Sequence, residues 1–229
     1  MTVSRTLCLC LLLVAVACTP PPRLLVDDLP TYIRSTLHIE PLHTFTATGK
    51  AAISINGDVH AGTVDVLNDS AGKFAASFYG PLGVMIASVT ADSAIGCVSM
   101  EKIVHSFRRD QTMDTLPFAW SRKLTVNDLI AVFSGTMPDS MGAILENRPD
   151  STQEKKKTIN IVWNTDILKV TATIRKKKNN VESVVFEDNI DGAWSIKLAA
   201  IKQGRAFKIE LREDDRNYFS ITYEKIRNN

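Results

Sequence analysis

From Phe45 to the end of the chain, apolar and polar residues alternate in short runs that are separated by turn residues. In residues 207–212 (FKIELR), for example, apolar side chains occupy one face of a strand and charged side chains the other. The joints between runs are short and rich in Asn, Gly, Asp and Pro, which form tight turns. A parallel crossover needs a dozen or more residues, so these joints predict sequential antiparallel hairpins.

The predicted strands cover most of the chain. They are residues 44–55, 59–67, 72–79, 84–90, 94–99, 103–107, 158–163, 167–175, 181–188, 193–200, 206–213 and 218–225. A twisted sheet of this size curls. The predicted fold is therefore mainly β with a few helices: a curled antiparallel sheet, an incomplete β-barrel of about 11 strands, with helices covering its concave side.

Two segments have helical spacing instead. Residues 24–37 carry a stripe of apolar residues at i, i+4, and Pro30 either kinks this helix or marks a second start. Residues 124–135 begin with Thr125 as a helix cap, followed three residues later by Asp128, and end at Gly135. The apolar face of this second helix consists of Val126, Leu129, Ile130 and Phe133. Residues 136–148 are predicted as loop, with a possible short strand at 143–146.

The first residues predict a secretory signal. Residues 1–17 combine Arg5 with an apolar core too short to span a membrane, and they end in Ala-Val-Ala before Cys18. This ending resembles the bacterial lipoprotein signal, although Ala15 stands where leucine is usual. Cys18 is then the lipidated first residue of the mature chain, residues 18–23 are a Pro-rich tether, and residues 24–229 form a single domain. The alternative is an ordinary signal peptide with a chance cysteine.

Composition and motifs argue against several classes of protein. Lys and Arg total 27 and Asp and Glu total 25, a balance that does not favour nucleic-acid binding. The sequence contains no nucleophile elbow, P-loop or zinc-protease motif, so we expect no enzyme, no cofactor and no metal site. Cys97 lies in an apolar run and is predicted to be buried. The basic runs at 155–157 (KKK) and 175–178 (RKKK) are either solvated strand ends or contacts for anionic headgroups or an acidic partner.

One turn has an unexpected side chain. Gly80-Pro81-Leu82-Gly83 has the composition of a tight turn, yet its free position is leucine rather than a polar residue. A leucine exposed here would gain ~1.5–3 kcal/mol on entering acyl chains. The alternative is a leucine folded back under the sheet.

Several short motifs together resemble the LolA/LolB lipoprotein-carrier superfamily, and most closely its LolB-like outer-membrane lipoproteins. The first strand contains Thr48-Gly49, and Pro81-Leu82-Gly83 occupies the turn after the third strand. Leu124 and Leu129 lead through the helix to residues 133–138 (FSGTMP), similar to the family's aromatic residue followed by G-x-x-P. The family commonly has tryptophan where Phe133 stands.

The resemblance implies a function and a place in the cell. It implies a lipid-anchored, periplasm-facing outer-membrane receptor, active as a monomer, that binds acyl chains of lipoproteins and inserts them into the outer membrane. Its partners would be acylated lipoproteins, a periplasmic LolA-like carrier and outer-membrane lipid. Pro81, Leu82 and Gly83 would form the membrane-insertion loop, and Val126, Leu129, Ile130 and Phe133 would line the cavity. Alternatives are a module of the same fold for another lipid or glycolipid, and an envelope scaffold without a ligand.

Overall fold

A computed structural model describes residues 29–37, 44–69, 71–100, 103–178, 180–190, 192–202 and 204–228. The predicted signal peptide, Cys18 and the tether lie outside the described residues, as does the start of the first predicted helix. None of the described helices is long and apolar enough to cross a bilayer.

The described residues form 13 strands that belong to one sheet. Their bounds are β1 Phe45–Ile55, β2 Asp58–Asn68, β3 Phe74–Tyr79, β4 Met85–Ala91, β5 Ile95–Met100, β6 Ile103–Arg108, β7 Ser151–Glu154, β8 Thr158–Asn164, β9 Leu168–Arg175, β10 Asn180–Asp188, β11 Ser195–Lys202, β12 Arg205–Arg212 and β13 Tyr218–Asn228. Every ladder between neighbouring strands is antiparallel. The predicted fold class is therefore confirmed.

The strand order is β6-β5-β4-β3-β2-β1-β13-β12-β11-β10-β9-β8-β7. Each half of the chain is a meander, and β1 pairs with β13 to join the two halves. Strands β6 and β7 stand at the two edges of the sheet, and no described ladder closes it into a barrel. The chain between these edge strands holds the helices at Val126–Phe133 and Asp139–Gly142.

The helices are few and short. Helix α1 is Leu29–Leu37, α2 is Val126–Phe133 and α3 is Asp139–Gly142. Helix α2 begins as predicted, because the Thr125 hydroxyl accepts a hydrogen bond from the Asp128 amide while the Asp128 carboxylate accepts one from the Thr125 amide.

Between residues 136 and 157 one prediction was wrong and one strand was missed. Residues Ala143–Glu146 form a turn of 3-10 helix rather than a strand, and they follow α3 directly. Strand β7 was missed because its four residues, STQE, are all polar and exposed and show no alternation.

Contacts at the two ends of α2 show how strongly the sheet curls. A Cβ atom built on Gly96 of β5 would lie 2.3 Å from a methyl group of Val126, and one built on Gly135 would lie 2.5 Å from the carbonyl oxygen of Ala206 on β12. In the sheet order β5 and β12 are six spacings apart, about 29 Å if the sheet were flat. The helix between those contacts is only about 14 Å long, so the sheet wraps around it.

The concave face of the sheet and the inner face of α2 form one core. Aromatic side chains dominate its centre: the rings of Phe78 and Phe219 meet edge to face at 4.6 Å, and Phe133 packs against both. Cys97 does not belong to this core. It is partly exposed on the outer face of β5, with its Sγ 3.4 Å from the Ser106 hydroxyl. The prediction of a buried cysteine was wrong because residues 95, 97 and 99 point away from α2.

Candidate functional site

Exposed apolar side chains concentrate at one corner of the sheet. Strands β3 and β4 are joined by the turn that contains Leu82, and β5 and β6 are joined at the same end of the sheet. Five large apolar side chains, each more than half exposed, project at this end: Leu82, Val84, Met85, Ile103 and Val104. We call these five residues the apolar corner. An exposed cluster of large apolar side chains on a protein surface normally marks an interaction site.

Leu82 is the most exposed member of the apolar corner. Residues Pro81–Gly83 form a turn of 3-10 helix, closed by hydrogen bonds from the Gly80 amide to the Val84 carbonyl and from the Gly83 amide to the Gly80 carbonyl. Leu82 is fully exposed, and its φ of 64° lies in the left-handed region. A leucine in that region costs about 1–2 kcal/mol relative to a right-handed residue, so folding alone does not explain the choice of leucine here.

Elsewhere the same end of the sheet is mixed in character. Val59, Ile167 and Ile190 are single exposed apolar residues near the β1–β2, β8–β9 and β10–β11 turns. Between them lies the β12–β13 turn, where the Asp214 carboxylate accepts hydrogen bonds from the amides of Arg216 and Asn217. The charged β12–β13 turn separates Val59 from Ile167 and Ile190, whose own turns are joined by a hydrogen bond from the Asn189 amide to the Ile167 carbonyl. The apolar corner is the larger cluster of exposed apolar side chains at this end of the sheet.

The four residues predicted to line a cavity lie together on the inner face of α2. Val126, Leu129, Ile130 and Phe133 are each at most 3% exposed and belong to the core. Their side chains contact the sheet, so the space that they border is filled by protein in this conformation. Their role as a cavity lining stays a prediction, and it requires α2 to move away from the sheet.

The C-terminal end of α2 is held by three donors from the sheet. The hydroxyl of Tyr223 donates to the Phe133 carbonyl at 2.5 Å, the guanidinium of Arg205 donates to the Ser134 carbonyl at 3.0 Å, and the Ala206 amide donates to the Gly135 carbonyl at 2.7 Å. Carbonyl groups at a helix C-terminus lack partners within the helix. The sheet supplies those partners, which closes α2 over the core.

Arg205 is an unusual component of this attachment. Its side chain is buried, and its guanidinium lies 4.5 Å from the centre of the Phe45 ring. Burial lowers the pKa of the Arg205 guanidinium, which stays charged at neutral pH because the ordinary pKa of arginine exceeds 12. Among the described residues no carboxylate forms an ion pair with it. Its charge is instead stabilised by the negative end of the helix dipole and by the aromatic ring.

A separate open groove lies on the outer face, away from α2. It has a volume of about 450 Å³ and is bordered by Leu67, Ala75, Thr90, Ile95 and Cys97 on strands β2 to β5. It lies at the end of the sheet opposite the apolar corner. Sequence alternation did not single out these residues, because they lie on the outer faces of four different strands.

The sequence found part of this site. It singled out Pro81, Leu82, Gly83 and the inner face of α2, and the structure places the first group in an exposed turn and the second in the core. Val84, Met85, Ile103 and Val104 were missed. These residues could have been recognised from a break in the alternation, because consecutive apolar residues on one strand place apolar side chains on both faces of the sheet.

Comparison with known proteins supports the fold. No protein-family model matches this sequence, and no curated protein gives a match. A LolA superfamily protein from Nitrosomonas europaea is similar in structure, with a TM-score of 0.51 over 90% of this chain and 94% of that chain at 8% identity. A DUF1329 family protein from Desulfovibrio piger is similar with a TM-score of 0.51 over 89% of this chain and 92% of that chain at 12% identity. The chain therefore has the fold of these proteins.

Proposed function

We propose that this protein is a non-enzymatic, lipid-anchored receptor that binds acyl chains of lipoproteins beneath α2 and delivers them to the outer membrane. Leu82 is the observation that supports this proposal most directly. Its fully exposed side chain and left-handed backbone both oppose stability in water. Both become understandable if the leucine works in a lipid environment.

The apolar corner is suited to dip into a bilayer. Its side chains project from hairpin ends, and Leu82 is the most exposed of the five. Each fully buried leucine or valine gains ~1.5–3 kcal/mol, enough for five residues to hold the corner at a membrane to which Cys18 already tethers the chain. The corner orients the protein, whereas the acyl anchor keeps it at the membrane.

Helix α2 is the element that would admit a ligand. Its inner face is wholly apolar except at the cap, and its C-terminal end is held by hydrogen bonds that can be exchanged for water. When the helix lifts, the apolar side chains of α2 and of the concave face become a surface for acyl chains. An acyl chain that moves from a carrier protein to this surface and then to a bilayer passes from one apolar environment to another, so its transfer needs no cofactor.

Ligand binding tests this proposal. The mature chain carrying Cys18→Ser is purified from the periplasm, and its organic extract is examined by mass spectrometry. The same protein is titrated with a fluorescent fatty acid and then with an acylated lipoprotein. We expect saturable binding of the fatty acid and its displacement by the lipoprotein. A folded protein that contains no lipid and shows no saturable binding would favour the envelope scaffold, and an extract dominated by another lipid would favour the related binding module.

A further inference from the structure

The two lysine runs of the sequence meet in space. Lys155, Lys156 and Lys157 form the β7–β8 turn, and Lys176, Lys177 and Lys178 follow β9 in the β9–β10 turn. The Lys176 amide donates a hydrogen bond of 3.0 Å to the Lys157 carbonyl, which fixes the two turns side by side. We call these six residues the basic corner.

Most charges of the basic corner have no ion-pair partner within the described part of the chain. Glu154 pairs with Lys176, and Glu182 pairs with the neighbouring Arg175 at 2.6 Å. Neither carboxylate reaches the other five lysines, which are all exposed. Five unpaired cations therefore share one corner of a chain whose total net charge is +2.

Protection of a sheet edge does not explain this cluster. Lysines that block edge-to-edge pairing lie on the edge strand itself. Here the edge strand β7 (STQE) carries no lysine, and Lys177 and Lys178 follow β9, which is two places in from the edge.

The basic corner lies at the end of the strands opposite the apolar corner. Strand β9 begins next to Ile167, at the same end as Leu82, and it ends at Arg175 beside the lysines. Its eight residues span about 23 Å. Because charge interactions fade over about 8 Å at physiological ionic strength, lysines this far from the apolar corner do not interact with the headgroups of the bilayer that the corner would touch.

We infer that the basic corner is a docking surface for an acidic face of a soluble protein that approaches from the side away from the membrane. This inference rests on the proposed function, because the proposed contact of the apolar corner with the membrane places the lysines away from the headgroups and leaves a protein as their partner. Lysine side chains are flexible point charges, whereas chelation of a phosphate group favours the planar fork of arginine. A spread of lysines over two turns instead suits long-range steering of a partner, which accelerates association and depends on salt.

Charge reversal tests the inference on the mature chain carrying Cys18→Ser. The test variant is Lys155→Glu, Lys156→Glu and Lys177→Glu, which leaves Lys157 and Lys176 at the junction of the turns. The control is Lys73→Glu, Lys123→Glu and Lys225→Glu, three exposed lysines that are dispersed over the surface and give the same change in net charge. The probe is a short, fluorescently labelled, glutamate-rich peptide.

We expect the test variant to bind the peptide at least about tenfold more weakly than the unmodified chain, and the control to stay within about twofold. Binding to the unmodified chain should weaken markedly between about 50 and 200 mM salt. Equal binding by the test and control variants overturns the inference, because the clustered lysines would then contribute no more to peptide binding than the same number of dispersed lysines.

Vesicles of phosphatidylglycerol and phosphatidylcholine separate a protein partner from a membrane. Each lysine that touches an anionic membrane strengthens binding by about fivefold, so membrane contact predicts a loss of about 100-fold in the test variant. We expect the two variants to bind vesicles alike, and selective loss by the test variant overturns the inference. Neither assay measures the capture of a fatty acid or a lipoprotein beneath α2, so failure here leaves the proposed function standing, whereas absent fatty-acid binding with intact peptide binding contradicts the proposed function alone.

Discussion

The hydroxyl of Tyr223, on the last strand, donates a 2.5 Å hydrogen bond to the carbonyl oxygen of Phe133 in the last turn of α2. Residue 223 is far from the helix in sequence, and the curl of the sheet brings the two together. Through this contact the strand that joins the two halves of the sheet also holds the helix over the core. Removing this hydrogen bond should therefore weaken the attachment of α2 to the sheet without altering the apolar inner face of the helix.

Tyr223→Phe removes this hydrogen bond and preserves the ring. We expect a loss of about 1–2 kcal/mol in the free energy of unfolding, because a buried carbonyl loses its partner. If α2 lifts to admit acyl chains, the same change should tighten binding of the fatty-acid probe by up to about tenfold, because less energy then holds the closed state. Urea unfolding and probe titration measure the two effects. Tyr218→Phe on the same strand is the control, and weaker probe binding by Tyr223→Phe would contradict a moving helix.

The same tyrosine makes stability sensitive to alkali. Burial raises the pKa of the Tyr223 hydroxyl well above its ordinary value. The unfolded chain then releases this proton near pH 10 while the folded chain retains it, so stability is complete below pH ~10 and falls as the pH rises further. We expect the free energy of unfolding to fall more steeply above pH ~10 in the unmodified chain than in Tyr223→Phe. Identical slopes would show that Tyr223 does not titrate as a buried group.

Much of the fold could be predicted because the alternation of apolar and polar residues has the strand period. The start of α2 could also be predicted, because the cap formed by Thr125 and Asp128 is a local signal in the sequence. Strand β7 could not be found, since an exposed edge strand without apolar residues has no pattern.

The contacts that assemble the site were harder to predict. Arg205 stands next to a turn, where an exposed arginine is the usual expectation, and its burial depends on α2 and Phe45 arriving from distant parts of the chain. The meeting of the two lysine runs likewise depends on the register of β8 with β9, which the sequence does not state.

A disulfide between α2 and β5 tests whether the helix must move. A Cβ atom on Gly96 would lie 3.2 Å from the Val126 Cβ, a few tenths of an ångström short of the 3.5–4.5 Å range of disulfides. We expect Gly96→Cys with Val126→Cys, in the mature chain carrying Cys18→Ser and Cys97→Ser, to bind the fatty-acid probe when reduced and to lose binding when oxidised. The parent with only the two serine substitutions controls for oxidation. Equal binding in both redox states would place the ligand somewhere other than beneath α2.

The anchor is tested by Cys18→Ser in the full precursor. We expect the variant to leave the membrane fraction and appear in the soluble periplasmic fraction, because the apolar corner alone gives only reversible attachment. Its melting temperature should match that of the mature wild-type chain, because the Pro-rich tether precedes the folded domain in sequence. A variant that still floats with membranes in a density gradient would show that Cys18 is not the main anchor.

Delivery of a prebound lipoprotein to liposomes by Leu82 variants tests the central claim most directly. Leu82→Gly relieves the left-handed strain, whereas Leu82→Glu adds a charge at a fully exposed residue. The matched control is Leu67→Glu, which adds the same charge at an exposed leucine on the opposite end of the sheet. We expect both Leu82 variants to keep the wild-type melting temperature or exceed it, to bind lipoprotein normally and to deliver it at least about tenfold more slowly, which corresponds to about 1.4 kcal/mol. The control should deliver normally. Normal delivery by Leu82→Glu, or its unfolding, would contradict the claim that this leucine works in the membrane.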